Sequence, residues 1–198
     1  MEKQRVMLYF GSFNPPHIGH ISISEWIIEK NLADRVVLIV SPRNPLKDST
    51  LLTDEFHRFQ MAQMAAQSSR YPEKIAASAI EFTLSRPSFT INTLDELERV
   101  CKEKMEFSIL MGADNAQNIG KWYRYEDILS RYKIYVYPRE GYIPKKNPGM
   151  IYLDEAPHFE ISSTQIRQKL LMGEDTRGIL QDIVKEYITA NSLWKENR

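Results

Sequence analysis

The 198-residue chain is short of several things, and each shortage removes a class of protein. It has one cysteine, Cys101, so no internal disulfide can form and a disulfide-stapled secreted scaffold is excluded. Cys101 shares a helical apolar stripe with Leu94 and Leu97, which reads as a packing thiol and not a nucleophile. Charge of one sign is missing too. Twenty-six Lys and Arg balance 26 Asp and Glu, so no global field draws the chain to nucleic acid or an anionic membrane, and any anion site has to be local. Long apolar runs are absent. Val6–Phe10 is too short for a signal-peptide core or a bilayer span, and no other segment reaches spanning length. The expectation is a cytoplasmic protein with no membrane partner. No repeat, no low-complexity tract and no basic stripe with interleaved aromatics occurs, so no nucleic-acid partner is expected either.

What is present is average. Apolar residues make up 42% and charged residues 26%, which excludes disorder, and the length suits one domain over residues 1–198. Short runs rich in β-branched and aromatic residues recur: Val6–Phe10, Val36–Val40, Ile75–Phe82, Phe107–Met111, Ile134–Tyr137 and Met150–Leu153. Continuous apolar runs of this length suit parallel strands buried on both faces.

Helical patterns lie between these runs. Ile18, Ile21 and Ile28 share a face. Thr53 is the expected N-cap of a helix carrying Phe56, Phe59, Met64 and Ala65. Leu94 and Leu97 mark the next helix, and Ile128 and Leu129 a shorter one. The alternation predicts an α/β fold with a doubly wound sheet. A helical C-terminal part begins near residue 162. Its first helix runs to Met172 behind a capping box, Ser162-Ser-Thr-Gln165, with Gly173 beyond its end. A second helix is expected from about Thr176 to Ala190, with Ile179, Ile183 and Tyr187 on one face, while Pro138–Pro148 reads as an exposed loop.

Ligands of such sheets bind beyond the carboxyl ends of the strands. Three segments rich in functional groups lie there: Gly11–His20, Ser41–Lys47 and Gly112–Asp114. In the first, Gly11 allows close approach of the backbone. His17 and His20, spaced i, i+3 at a helix start, project from one face. Two imidazoles with orphan amides and the positive end of a dipole make a phosphate site. In Ile161-Ser-Ser-Thr-Gln-Ile-Arg167, hydroxyls and orphan amides again gather at a helix start, and Arg167 adds a permanent planar cation one turn in.

The stretch Gly11-Ser12-Phe13 through His20 resembles the (H/T)xGH signature of the nucleotidyltransferase superfamily, which binds ATP or CTP on a Rossmann-like fold. Ile161, Ser162, Ser163, Thr164 and Arg167 resemble the ISSTxIR signature of its adenylyl-transferring branch. Class I aminoacyl-tRNA synthetases share the first signature, but their Lys-Met-Ser-Lys-Ser is absent here. The whole chain is similar to bacterial nicotinate-mononucleotide adenylyltransferases. That resemblance implies His17, His20 and Arg167 as catalytic residues, with Gly11, Ser12, Phe13, Ile161, Ser162, Ser163 and Thr164 also on ATP. Gly112 and Asp114 match the family's Gly-x-Asp, where the carboxylate meets the nucleotide ribose.

For the acceptor mononucleotide the resemblance implies Asn44 and Lys47, Thr90, Trp122 and Arg139, with Thr93 supporting Thr90 and Arg58 matching a family arginine. The chain departs from the family pattern in lacking the histidine before Lys47, in Phe89 for tyrosine, and in Glu140 and Asp182 for proline. Mg²⁺ is expected to be held by ATP phosphates and water, with no protein ligand. ATP and a pyridine mononucleotide are the expected partners. Nicotinamide mononucleotide, pantetheine phosphate and a silent nucleotide sensor stay as alternatives, and the oligomeric state stays open, a homo-oligomer included.

Overall fold

A computed structural model describes residues 2–42, 52–101, 103–142 and 146–195. Asn44 and Lys47 lie outside them. Strand β1 (Gln4–Gly11) is followed by α1 (Ile18–Glu29), β2 (Arg35–Val40), α2 (Glu55–Gln67) and β3 (Ile75–Ser78). Then come α3 (Thr90–Cys101), β4 (Met105–Gly112), α4 (Ala113–Gln117), α5 (Tyr125–Arg131), β5 (Lys133–Tyr137) and β6 (Met150–Tyr152). Helices α6 (Ser163–Leu171) and α7 (Asp182–Ala190) close the chain.

All six strands are parallel, in the order β3-β2-β1-β4-β5-β6. The chain starts at the centre of the sheet, winds to one edge, then returns and winds to the other. The reversal lies between β1 and β4, and there the carboxyl ends of the strands open a crevice. Register aligns those ends: Gly11 pairs with Val40, Tyr9 with Leu110, and Gly112 with Tyr137.

Alternation along β1 shows how the sheet is covered. Met7 and Tyr9 join a cluster with Ile23, Ile27, Met61 and Ala65, and with Ile166 and Val184 from α6 and α7. Val6 and Leu8 join a second cluster with Ile91, Leu94, Ile109 and Ile128. Side chains alternate across a strand, so one strand feeds both clusters. Each fully buried aliphatic side chain adds about 1.5–3 kcal/mol of transfer free energy. Among the described residues, no helix is long and apolar enough to cross a membrane.

The alternation of strands and helices agrees with the sequence reading, and so does the Ser162 cap. Ser162 Oγ accepts from Gln165 N at 3.2 Å, Ser162 N donates to Gln165 Oε1 at 2.7 Å, and Gly173 has φ +67°. Three expectations fail locally. The apolar run from Ile75 is a strand only to Ser78, which pairs with Ile39 of β2; Ile80–Thr83 is a 3-10 turn. Asp54, not Thr53, caps α2, its carboxylate accepting from Phe56 N at 2.9 Å. Thr53 is engaged elsewhere, its carbonyl accepting from Arg58 Nε at 2.8 Å. Phe56 is 59% exposed, while Arg58, Met61 and Ala65 face inward. The last helix begins only at Asp182, after a turn at Gly178 (φ +75°), so Leu180, Val184 and Ile188 are buried and Ile183 is exposed.

Candidate active site

The site begins at the end of β1. A Cβ on Gly11 would lie 2.9 Å from the Phe13 ring. Phe13 itself adopts φ 47°, a left-handed conformation costing about 1–2 kcal/mol. Its ring is 2% exposed, edge-on to Tyr9 at 5.6 Å and to His20 at 5.1 Å. Burial of that ring offsets the backbone cost and leaves the Gly11–Ser12 backbone facing the crevice.

His17 is the N-cap of α1, and its backbone N–H donates to His20 Nδ1 at 3.1 Å. With Nδ1 accepting, a neutral His20 carries its proton on Nε2, which makes that nitrogen a donor. The His17 and His20 rings lie 3.7 Å apart, centroid to centroid. His17 is buried, and neither ring nitrogen has a hydrogen-bond partner among the described residues. Burial first, then the Arg139 cation, pushes its pKa from 6.5 down to about 3. At neutral pH it is therefore an uncharged ring with one N–H to give.

Helix α6 is bound directly to this turn. Ser163 Oγ donates to Pro15 O at 2.9 Å, and Arg167 Nη1 donates to Asn14 O at 2.8 Å. Arg167 Nη2 also reaches Thr164 Oγ1 at 3.2 Å. Burial lowers the Arg167 pKa, but a guanidinium starts so high that it stays charged. The N-termini of α1 and α6 thus converge.

On the other side of the crevice, β4 ends at Gly112. A Cβ there would lie 2.5 Å from Asp114 Oδ1, 2.9 Å from Arg139 Cδ and 3.1 Å from Tyr137 Oη. Only a glycine lets these three side chains close over the strand end. Asp114 Oδ1 is buried without a hydrogen-bond partner among the described residues, 3.9 Å from Arg139 Nε.

These elements enclose a cavity of about 350 Å³. Gly11, Ser12, Phe13, His20, Asp114, Arg139, Ser162, Ser163, Thr164 and Arg167 all line it. Its donors surround a space sized for a small-molecule ligand and suited to phosphate oxygens. Two residues expected on this cavity line a smaller one instead. His17 and Ile161 face a space of about 20 Å³ behind His20, together with Tyr9, Tyr137 and Arg139. Gly112 lies buried beneath the cavity wall. Arg139, expected with the acceptor, sits with the residues expected on ATP.

Thr90 and Trp122 do not line the cavity. Thr90 is the first residue of α3, and Trp122 packs partly buried on the second cluster. Among the described residues, no three His, Cys, Asp or Glu side chains gather to hold a metal ion.

Two features were not read from the sequence, the Tyr9–Tyr137 pair and Glu81, and Arg58, matched there only to a family arginine, has contacts that the sequence did not show. Tyr9 and Tyr137 share a 2.6 Å hydroxyl hydrogen bond at the cavity wall. Their positions looked like ordinary strand residues. Arg58 is 1% exposed and donates to four carbonyls: Ser12 and Ser41 through Nη1 (2.8 and 2.6 Å), Pro42 through Nη2 and Thr53 through Nε (2.8 Å each). An arginine one turn from Met61 and Ala62 on an apolar face was the available signal. Glu81, also 1% exposed, accepts from Thr93 Oγ1 at 2.9 Å.

The profile of the cytidylyltransferase-like family matches residues 8–169. A protein of Flavobacterium johnsoniae, named "Probable nicotinate-nucleotide adenylyltransferase", is 40% identical over 97% of this chain and 100% of its own length. One of the same name from Bacteroides fragilis is 38% identical over 95% of this chain and 92% of its own. Among solved structures, the Plasmodium falciparum nicotinic acid mononucleotide adenylyltransferase complexed with NaAD superposes with a TM-score of 0.79 at 18% identity, over 96% of this chain and 97% of that one. At that identity the likeness concerns the fold. The sequence likeness and the family match together make this chain a member of the cytidylyltransferase-like family, in its nicotinate-nucleotide adenylyltransferase branch.

Proposed function

We propose that this chain transfers the adenylyl group of ATP to nicotinate mononucleotide, giving nicotinate adenine dinucleotide and pyrophosphate. The observation that carries the reading is the convergence of two helix N-termini on one cavity, locked by the Arg167–Asn14 hydrogen bond. The 5′-phosphate of the mononucleotide attacks the α-phosphorus, a new P–O bond forms, and the bond to the leaving pyrophosphate breaks. The nucleophile is already an anion, so no base is needed. Rate enhancement comes from positioning and from stabilising charge.

His20 Nε2–H donates to a phosphate oxygen as charge builds there. The neutral His17 supplies a second donor from behind it. Arg167 with the α6 N-terminus holds the outer phosphates, and Gly11–Phe13 supply backbone along the chain of phosphates. Asp114, whose buried oxygen has no hydrogen bond among the described residues, accepts from a ribose hydroxyl. Mg²⁺ would be held by the phosphates and water, since among the described residues Asp114 alone brings a carboxylate to the cavity, too little for a cage. When bound, it neutralises phosphate charge. Asn44, Lys47, Thr90 and Trp122 are assigned to the acceptor, with Arg139 between the two substrates. A cytoplasmic setting suits the free thiol of Cys101.

Pyrophosphate release with ATP and each of the two pyridine mononucleotides, measured in parallel, tests the reading. Turnover favouring the acid is expected. Release with neither would overturn the activity, and a higher kcat/KM for the amide would overturn the acceptor.

A further inference from the structure

Arg58 and Glu81 are the least exposed charged side chains among the described residues, at 1% each. Arg58 donates to the Ser41 carbonyl where the chain leaves β2. Arg58 is explained by the carbonyls it binds. Glu81 is not explained by the donor half of the site, since it is absent from that cavity wall. It sits in the 3-10 turn after β3. Its Oε1 accepts from Thr93 Oγ1 at 2.9 Å. Among the described residues its Oε2 has no hydrogen-bond partner, nor does Ser88 Oγ. The hydroxyls of Ser41 and Ser88 both stand close enough to the carboxylate to oppose the upward shift that burial imposes on its pKa.

Burying a carboxylate costs several kcal/mol unless donors surround it, so packing alone does not account for Glu81. The segments it joins do. Ser41 leads into the stretch holding Asn44 and Lys47. Ser88 and Thr93 flank Thr90, and Thr93 lies one helical turn beyond it on the same face of α3. Arg58 holds the Ser41 carbonyl and carries the connection to Ser12 in the donor turn.

We propose that Glu81 is a positioning residue for the acceptor mononucleotide, holding the start of α3 in place through its hydrogen bond to Thr93. The proposal rests on the acceptor assignment above. Glu81 does not touch the reacting atoms; it acts through Thr93 on the helix turn that carries Thr90.

The test is steady-state kinetics of the full chain with each substrate varied in turn. Glu81→Ala is expected to raise the mononucleotide KM about tenfold, the loss typical of a broken buried hydrogen bond to a charged group, and to leave the ATP KM within about twofold. Glu81→Gln keeps an oxygen for Thr93 and should recover to within about threefold. Thr93→Val should match Glu81→Ala, and the double variant should be no worse than either alone. A merely structural role lowers the active fraction without splitting the two KM values.

Equal rises in both KM values would overturn the proposal, as would a wild-type mononucleotide KM in Thr93→Val. If Glu81→Ala does not fold, Glu81→Gln and Thr93→Val decide. Absence of pyrophosphate release by the wild type would instead be failure of the activity. In that case calorimetric titration of nicotinate mononucleotide into wild type and Thr93→Val, judged by the same tenfold criterion, decides the role of Glu81.

Discussion

His20 and His17 occupy one motif and have different surroundings. His20 Nδ1 is taken by a backbone N–H, and its ring lines the large cavity. A fixed tautomer presents Nε2–H without reorganisation, the arrangement that makes a transition-state donor effective. His20→Ala is therefore expected to lower kcat by about 10²-fold or more. A folded variant turning over near the wild-type rate would refute that role. His17 is buried neutral, with a pKa of about 3 against 6.5 when unfolded. The unfolded state thus takes up the proton first. Stability held above pH 6.5 is lost as pH falls toward 3, on the order of 4 kcal/mol across that window. Chemical denaturation between pH 7 and 4 should show a shallower decline in His17→Gln than in wild type; identical slopes would rule out His17 as the titrating group.

At the scale of elements, the site is held by a few connections between strand ends and helix starts. Arg58, on α2, gathers the turns after β1 and β2 through the carbonyls of Ser12, Ser41 and Pro42. Replacing it by leucine leaves buried carbonyls without donors. We expect Arg58→Leu to cost about 3–5 kcal/mol in urea denaturation and to raise the ATP KM as the Ser12 turn loosens. A loss below about 1 kcal/mol would mean that water replaces the guanidinium at little cost. Helix α6 is held by the reverse arrangement, its own side chains Ser163 and Arg167 reaching back to the carbonyls of Pro15 and Asn14. This is why a surface-looking capping box lies beside a strand end nearly 150 residues away in sequence.

At the scale of the molecule, the strand order decides where the cavity lies. With β1 and β4 adjacent at the reversal, the Gly11 and Gly112 ends form the two walls of one crevice. The described cavity takes in His20, Asp114 and Arg167 and leaves out Trp122, which packs on the second cluster with Phe89 and Tyr125. Trp122→Ala should therefore separate the substrates, raising the mononucleotide KM several-fold through lost stacking while the ATP KM holds. An unchanged mononucleotide KM at saturating ATP would leave Trp122 a packing residue only.

Much of this was legible in one dimension. Apolar runs and helical periods mark their elements locally, and a cap such as Ser162 is a contact between near neighbours, so the alternation and the parallel sheet were readable. The misreadings share one cause. The cap of α2, the start of the last helix and the end of the Ile75 run depend on what the rest of the chain packs against them, and local pattern does not carry that.

The sequence by itself determined the chemistry at each strand end: two imidazoles at one helix start, hydroxyls and a guanidinium at another, a carboxylate after a glycine. Tertiary structure alone decided how these meet. It put Arg139 beside Asp114 and His17 behind His20, and it buried Arg58 and Glu81. Hydrogen bonds and desolvation act through space, between residues whose separation along the chain bears no relation to their distance in the fold.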